Sequence, residues 1–365
     1  MPSTAKSATA PATGAGPRLL RALTGAVRRH RLLVILVLAY AAASATLKRI
    51  LAPEAGGDGL GAMLASFAGM LPVMLYFALA LRLLHMVSVV RPDNRAEWLK
   101  DDLTAPFKDP HRLADTGLSL ALVIITLAAF AQMKGLIPVI HPYAWDATFA
   151  EIGRDMHFGV APWRVLYEVL GEPLTITIFT GAYNFWLPLM CFLLFYACFA
   201  RRKPRARMQF LLAFLLTWVL GGNVLATIFS SAGPAYFQRL GLGNDFVPLM
   251  KALADDAATA PISVLPVQNW LWGHYVRPEG LNGISAFPSI HVASSVLMAL
   301  YGFRLSRAAG WALIGFAAVI LLGSVLLAWH YAVDGYAGAG IALGCWGLAG
   351  WLLRRYGPGR TAAAG

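Results

Sequence analysis

The chain has 365 residues, of which 58% are hydrophobic and only 13% are charged. Soluble globular domains carry roughly a quarter charged residues, so this composition excludes an ordinary soluble protein and indicates an integral membrane protein. The formal net charge of +12 would suit a nucleic-acid-binding protein. However, the basic residues flank apolar runs and do not form one face, which is the pattern of membrane topology, so we expect no nucleic-acid partner.

The first 31 residues are predicted to form a disordered basic tail, because residues 1–17 are small and polar and five arginines follow them. Beyond this tail, apolar runs of about 20 residues, the length that crosses a bilayer, predict eight transmembrane helices. These spans are about 32–50, 62–90, 116–140, 174–200, 207–230, 287–305, 308–329 and 331–353. We therefore expect an all-α polytopic membrane helix bundle, with residues 354–365 forming a second cytoplasmic tail.

The distribution of lysine and arginine orients the predicted helices. When the N-terminus is placed in the cytoplasm, every inner loop is basic, as the positive-inside rule requires. The two long outer loops, about 141–173 and 231–286, carry the Trp, Tyr and Pro expected at a membrane–water interface. We expect both termini to be cytoplasmic and the chain to be integral to the cytoplasmic (inner) membrane.

Two short polar segments, 287–291 and 329–334, stand at the edges of long apolar runs. An ionisable side chain inside a membrane segment is costly unless it faces a wet cavity or a partner, so it suggests a function. His330 and Asp334 are spaced i, i+4, which on a helix places them on one face, one turn apart. A carboxylate that binds one ring nitrogen orients a histidine for nucleophilic or general-base chemistry, although such a pair can also serve only to tie helices together.

His291 follows Pro288 and Ser289, and proline is favoured in the first turn of a helix. The free amides at a helix start bind anions, and Ser285 and Ser289 add hydroxyl donors. A histidine in that first turn can donate a proton to a leaving oxygen. We expect both histidines at the outer end of the bundle, because each one opens a span that starts there.

These residues resemble those of a known family. Pro288-Ser289-Ile290-His291 resembles the P-S-x-H element of the type 2 phosphatidic acid phosphatase superfamily, and His330 with Asp334 resembles its H-x-x-x-D element. The segments 286–293 and 230–236 more closely resemble the inositol phosphorylceramide synthase (inositolphosphotransferase) branch. The resemblance covers roughly residues 116–353, and it implies a six-helix catalytic membrane domain preceded by two helices and a cytoplasmic loop in 32–115.

The resemblance also implies roles for three residues. His330 attacks phosphorus and forms a phosphohistidine, His291 protonates the leaving group, and Asp334 supports the nucleophile, with no metal or other cofactor. The chain departs from the broader family at Ser324, where the family has arginine, and in lacking the K-x-x-x-x-x-x-R-P element, since Arg277-Pro278 has no lysine at the required position. Phosphoryl transfer needs charge stabilisation at the equatorial oxygens. The candidate substrate-binding residues are Ser289, Ser285, Ser231, Gly233, Arg239 and Arg277.

The leading hypothesis is a lipid phosphatase or phosphotransferase acting on a lipid phosphate or phospholipid headgroup at the outer (periplasmic or exoplasmic) face. Water or an alcohol acceptor would take the phosphoryl group, and the missing arginines favour the transferase branch. The alternative is a transporter or lipid-flipping protein in which His291, His330 and Asp334 relay protons. The matched halves typical of transporters are not visible in the sequence. A third interpretation, a metal held by the same three residues, would require activity that EDTA abolishes.

Overall fold

The structure is a computed structural model that describes residues 15–53, 59–200, 203–276 and 283–357. Within these ranges every regular element is helical, which confirms the predicted all-α membrane bundle. The disordered tail predicted for residues 1–31 is wrong over Ala15–Arg29, which form a helix because Ala22 and Ala26 are buried in its packing against the helix Pro110–Ile140. The α-helices are α1 (Ala15–Arg29), α2 (Arg31–Leu51), α3 (Gly59–His85), α4 (Arg95–Thr104), α5 (Pro110–Ile140), α6 (Asp146–Asp155), α7 (Pro162–Leu170), α8 (Pro173–Phe199), α9 (Pro204–Leu216), α10 (Ala226–Ile228), α11 (Val247–Ala257), α12 (Val264–Tyr275), α13 (Ile290–Leu305), α14 (Arg307–Leu326) and α15 (Ala332–Tyr356). Wider π-helical turns follow α3 (Met86–Val90) and join α9 to α10 (Thr217–Leu225), and a short 3₁₀ turn covers Pro234–Tyr236.

Seven helical segments in the described residues are long and apolar enough to cross a membrane, as expected of an integral membrane protein. They are Arg31–Leu51, Ala68–Val90, Pro110–Ile140, Pro173–Phe199, Pro204–Ile228, Arg307–Leu326 and Ala332–Tyr356. α13 takes the place of the remaining predicted span, but it has only 16 residues. A helix of that length is about 24 Å long, slightly less than the hydrocarbon thickness of a bilayer.

α13 is short because a serine caps its start and the next helix begins directly after its end. The Ser289 hydroxyl accepts a hydrogen bond from the Val292 amide, and the Ser306 hydroxyl caps α14 by accepting from the Ala309 amide. Pro288 lies one residue before the cap, outside the first turn where the sequence placed it. The predicted span therefore began three residues too early, because residues 287 and 288 form a bend and Ser289 is the cap.

The centre of the bundle is formed by α13, which packs against α14, α15, α8 and α9. From Phe210 onward α9 is apolar on every side, and Phe210 to Leu215 are all buried, as expected for a helix at the middle of a bundle. Phe210 stacks on Tyr301 of α13 with ring centroids 4.5 Å apart. α2 and α3 pack on α5 at the edge of this core. α13 is therefore held from several sides, and so is the histidine in its first turn.

The bundle has two chemically different ends. At one end α5 finishes and α13 and α15 begin, and the short helices α6, α7, α11 and α12 lie in the connections around them. At the other end α1 meets α2, α5 and α9 begin, and α15 finishes with Arg354 and Arg355. The two histidines singled out in the sequence both lie at the first end.

Candidate active site

The turn between α14 and α15 carries His330 and is held by backbone hydrogen bonds. The amides of Trp329 and His330 donate to the Ser324 carbonyl at 3.0 and 2.9 Å, and the Ala235 amide donates to the Ala328 carbonyl at 3.0 Å. Ala328 has a φ of 58°, in the left-handed region that side chains other than glycine seldom adopt. Ser324, which stands where the broader family has arginine, therefore supports this turn through its backbone.

His330 faces Asp334 although it lies outside α15. Its Nδ1 is 3.4 Å from Oδ2 of Asp334, and both side chains are buried. The sequence placed the two residues on one helix, whereas Asp334 is the third residue of α15 and its Oδ2 accepts from the Tyr331 amide at 2.9 Å. A turn, rather than helical spacing, thus brings the pair together. Neither Nδ1 of His330 nor Oδ1 of Asp334 has a hydrogen-bond partner among the described residues.

His291 lies in the first turn of α13, between two aromatic side chains of α8. Its ring stacks on Tyr183 and lies against Trp186, with centroid distances of 4.5 and 4.2 Å. The Trp186 indole nitrogen donates to the Ser294 hydroxyl at 3.0 Å, which fixes this wall. The His291 ring centroid is 5.8 Å from that of His330. Two imidazoles on two different elements therefore face the same space.

A cavity of about 280 Å³ lies beside the two histidines. Its polar lining consists of His291, His330, Ser285 and Lys134. The remaining walls are apolar or aromatic, from Phe130, Trp186, Leu187, Trp218, Gly222, Pro288 and Ile290. Pockets that are mostly apolar and carry a few converging polar groups are typical ligand sites, and here the polar groups suit an anion attached to a hydrocarbon chain.

Lys134 is the residue that the sequence analysis missed in this cavity. It is a single lysine within the apolar run of α5, and a buried or half-buried cation in such a run suggests a function. The sequence contains a second indication of this lysine. Lys134 and His141-Pro142 have the spacing of the K-x-x-x-x-x-x-R-P element of the resembled family, with histidine in place of arginine. His141 itself does not line the cavity, because its Nδ1 contacts the Thr227 carbonyl at 2.9 Å.

Asp146 is a second residue that sequence reasoning passed over, and it supports the site from outside. This buried carboxylate at the start of α6 accepts from the amides of Ala232 and Gly233 and from the Tyr331 hydroxyl, at 2.7 to 3.1 Å. Burial raises the pKa of Asp146, and these three donors oppose that shift. Because Tyr331 is adjacent to His330, Asp146 links the start of α6 and the loop at Ala232 and Gly233 to the turn that carries the histidine.

The predicted substrate-binding residues divide into two groups. Ser285 lines the cavity, and Ser289, which is fully buried, adjoins it as the cap of α13. Ser231 and Gly233 instead hold the neighbouring loops together. The Ser231 hydroxyl accepts from the Phe287 amide at 3.1 Å, and the Gly233 amide donates to Asp146 at 2.7 Å.

Arg239, one of the two predicted arginines, does not line the cavity. Arg239 is exposed, donates to the Asn269 side chain and lies over the Trp272 ring at 5.6 Å. Arg277 lies outside the described residues. Among the described residues, no group of three or more His, Cys, Asp and Glu side chains is arranged to hold a metal ion.

Comparison with known proteins assigns this arrangement to a family. The sequence model of the PAP2 superfamily matches residues 147–348, which include His291, His330 and Asp334. No curated protein and no solved structure matches the chain. Because the family match spans more than half of the sequence and includes both histidine motifs, the chain belongs to the PAP2 superfamily, whose members are generally phosphatases or phosphotransferases.

Proposed function

We propose that this protein is a membrane-embedded lipid phosphatase or phosphotransferase that works through a phosphohistidine on His330. One observation carries the proposal: His291 and His330 line the same cavity, with ring centroids 5.8 Å apart. Membership of the PAP2 superfamily supports lipid phosphatase-type activity. The apolar walls of the cavity suit the hydrocarbon part of a lipid phosphate or phospholipid.

In the first step, Nε2 of His330 attacks phosphorus and the bond from phosphorus to the lipid oxygen breaks. His291 donates a proton to the departing oxygen, which leaves as an alcohol. Asp334, beside Nδ1 of His330, stabilises the positive charge that the ring gains in the attack. Oδ1 of Asp334, which has no partner among the described residues, is a second acceptor for the Nδ1 proton when the His330 ring rotates.

In the second step, an oxygen of water or of an alcohol attacks the phosphohistidine. His291, now neutral, takes the proton from that oxygen, and the phosphorus–nitrogen bond breaks to free His330. Lys134 lines the same cavity and supplies a cation for the equatorial oxygens of the phosphoryl group. It would thereby replace the arginine of the broader family, whose position is Ser324 in this chain. This chemistry requires no metal, and we expect EDTA to leave turnover unchanged.

We favour an alcohol over water as the acceptor, and hence a transferase of the inositolphosphotransferase type. Segments 286–293 and 230–236 resemble that branch, and the broader family's arginine is replaced by Ser324. We further propose that the site faces the periplasmic or exoplasmic side, because positive-inside topology places this end of the bundle outside.

The test is the His330→Ala variant with a fluorescent lipid phosphate or phospholipid, with and without alcohol acceptors. Loss of the nucleophile is expected to lower both phosphate release and transfer by at least about 10³-fold. The matched control is His274→Ala, whose ring lies on α12 and contacts the Trp270 carbonyl, away from the cavity.

Two further readouts separate the possibilities. An acid-labile phosphohistidine, trapped in the wild type and missing in His330→Ala, would support the covalent step. Product formed only when an alcohol is present identifies a transferase, and free phosphate formed without one identifies a phosphatase. Turnover retained in His330→Ala would refute the assignment and favour a proton-relay transporter.

A further inference from the structure

A second, larger cavity lies at the opposite end of the bundle from the two histidines. It has a volume of about 670 Å³ and is formed where α1 meets α2, α5 and α9 begin, and α8 and α15 end. The proposed chemistry makes no use of this space. Its lining is rich in arginine, with Arg29, Arg112, Arg205, Arg207 and Arg354.

The carboxylates in this cavity are already engaged. Asp115 accepts two hydrogen bonds from Arg29, at 3.0 and 3.1 Å. Asp109 caps α5 by accepting from the amides of His111 and Arg112. Five arginines and two aspartates line the cavity, so it carries an excess of positive charge. Like charges grouped in a partly enclosed space repel one another unless an anion joins them.

Arg207 shows the excess most clearly. Its guanidinium is half-buried, and its nitrogens contact Nε2 of His30 at 2.7 Å and the Ala200 carbonyl at 3.4 Å, both of them neutral acceptors. Its Nε is buried with no hydrogen-bond partner among the described residues. His30 is itself buried, and desolvation lowers its pKa, so this imidazole stays neutral and does not add a cation of its own. No carboxylate is hydrogen-bonded to this guanidinium among the described residues.

Neighbouring segments at this end bring no further carboxylate into the described lining of the cavity. The segments 1–14, 201–202 and 358–365 join the described residues here, and none of them contains an Asp or Glu. None of the acidic side chains of α4 lines the cavity: Glu97 accepts from the Asn94 side chain, Asp101 pairs with Lys108 and Asp102 with Arg82. These segments therefore add no carboxylate to the two that line the cavity, Asp109 and Asp115.

We propose that this cavity is a binding site for a phosphate-bearing anion, distinct from the catalytic cavity. Arginine forks bind phosphate oxygens in pairs, which suits the several guanidinium groups here. Part of the wall is apolar, with Phe199, Met208 and Leu353, so it also suits the first carbons of a lipid chain. The recognised group is a phosphate, presented either by the headgroup of an anionic phospholipid or by a soluble phosphate compound.

The test compares two double variants of equal charge. Arg205→Gln with Arg354→Gln removes two exposed arginines from the cavity wall. The control, Arg307→Gln with Arg355→Gln, removes two exposed arginines from the same end that do not line the cavity. All four side chains are exposed, so both variants are expected to fold, which gel filtration in detergent checks.

The probes are pyrophosphate, short-chain phosphatidylglycerol and short-chain phosphatidylcholine, titrated into purified protein by calorimetry. Affinity for an anionic probe is expected to fall by about tenfold or more in the cavity variant, to persist in the control, and to weaken with salt. Any binding of a probe at the catalytic cavity would be equal in both variants, so only the difference in affinity between them tests the proposal.

The outcomes are distinct. Arginine-dependent binding of pyrophosphate indicates a soluble phosphate ligand, and arginine-dependent binding of phosphatidylglycerol alone indicates a lipid headgroup. Equal affinities in the two variants, equally strong binding of phosphatidylcholine, or no saturable binding of either anionic probe overturns the proposal. Since the variants leave His291 and His330 intact, failure here would not affect the proposed phosphotransfer.

Discussion

At the scale of single residues, the proposed chemistry depends on a few polar side chains within an apolar bundle. His291, His330 and Lys134 line one cavity, while Asp334 and Asp146 act from behind it. A charge in such surroundings is costly, so each one must interact with a partner or a ligand. Asp334 and Asp146 have donors within the chain, whereas Lys134 has no ion pair among the described residues. Lys134 is therefore the residue whose partner we expect to be the substrate.

This leads to a prediction for Lys134→Met. Losing one cation at the developing charge of the transition state is expected to lower turnover by about 10²-fold. Thermal stability is expected to stay the same or rise, because a costly charge leaves the apolar span of α5. Activity assays and thermal unfolding in detergent measure the two effects. The control is Lys251→Met on α11, an exposed lysine away from the cavity. Full activity in Lys134→Met would remove this lysine from the mechanism.

At the scale of helices, the distance between the two histidines is set by how α13 and α15 begin side by side. The Ser289 amide donates to the Asp334 carbonyl at 2.9 Å, which joins the cap of α13 to the first turn of α15. One turn further on, Gly338 lies against the Ser289 carbonyl, and a Cβ atom at this glycine would be 2.4 Å from that oxygen. The two helix starts can approach this closely only because residue 338 has no side chain.

We therefore expect Gly338→Ala to separate the starts of α13 and α15. The cost of forcing this contact apart is about 1–3 kcal/mol, and the activity should fall because His291 moves relative to His330. Gly340→Ala is a matched control on the same helix, since nothing lies within 4 Å of a Cβ atom there. Unfolding midpoints and turnover of the two variants test this. Equal stability and equal activity would show that the close packing does not set the site geometry.

The sequence predicted the helices better than the contacts between them. Hydropathy locates spans because each crossing needs about 20 apolar residues, and charge at their ends marks the boundaries. Motif spacing also singled out His291, His330 and Asp334. It could not show that Asp146 reaches Tyr331, a contact across 185 positions, or that Arg239 binds Asn269. Gly233 is an example: the sequence predicted that it binds substrate, whereas its amide donates a hydrogen bond to Asp146.

At the scale of the whole molecule, the two N-terminal helices belong to the same bundle as the proposed catalytic core. The Tyr40 hydroxyl of α2 donates to the Asn223 side chain, and the Ser44 hydroxyl donates to Gln132 of α5 at 3.0 Å. The predicted boundary between 32–115 and 116–353 therefore separates segments that are in contact. The bundle as a whole has a histidine cavity at one end and an arginine cavity at the other. This polarity fits a protein that meets two different aqueous compartments.

The sidedness of this polarity can be measured by cysteine labelling. The native Cys191, Cys198 and Cys345 are buried, so a membrane-impermeant maleimide should not react with the wild type. Lys251→Cys on α11 lies at the histidine end, and Arg307→Cys at the start of α14 lies at the arginine end. Both positions are exposed.

Positive-inside topology predicts that Lys251→Cys is labelled in intact cells and that Arg307→Cys is labelled only after permeabilisation. Both variants should keep wild-type turnover, because neither residue lines the cavity that contains His291 and His330. The reverse labelling pattern would place the phosphotransfer site in the cytoplasm. Substrate and acceptor would then have to come from the inner leaflet and the cytosol, and the arginine cavity would face outward, where cytoplasmic phosphate compounds cannot reach it. The labelling pattern therefore tests two points: which leaflet supplies the lipid substrate to the proposed enzyme, and which phosphate ligands can reach the arginine-lined cavity.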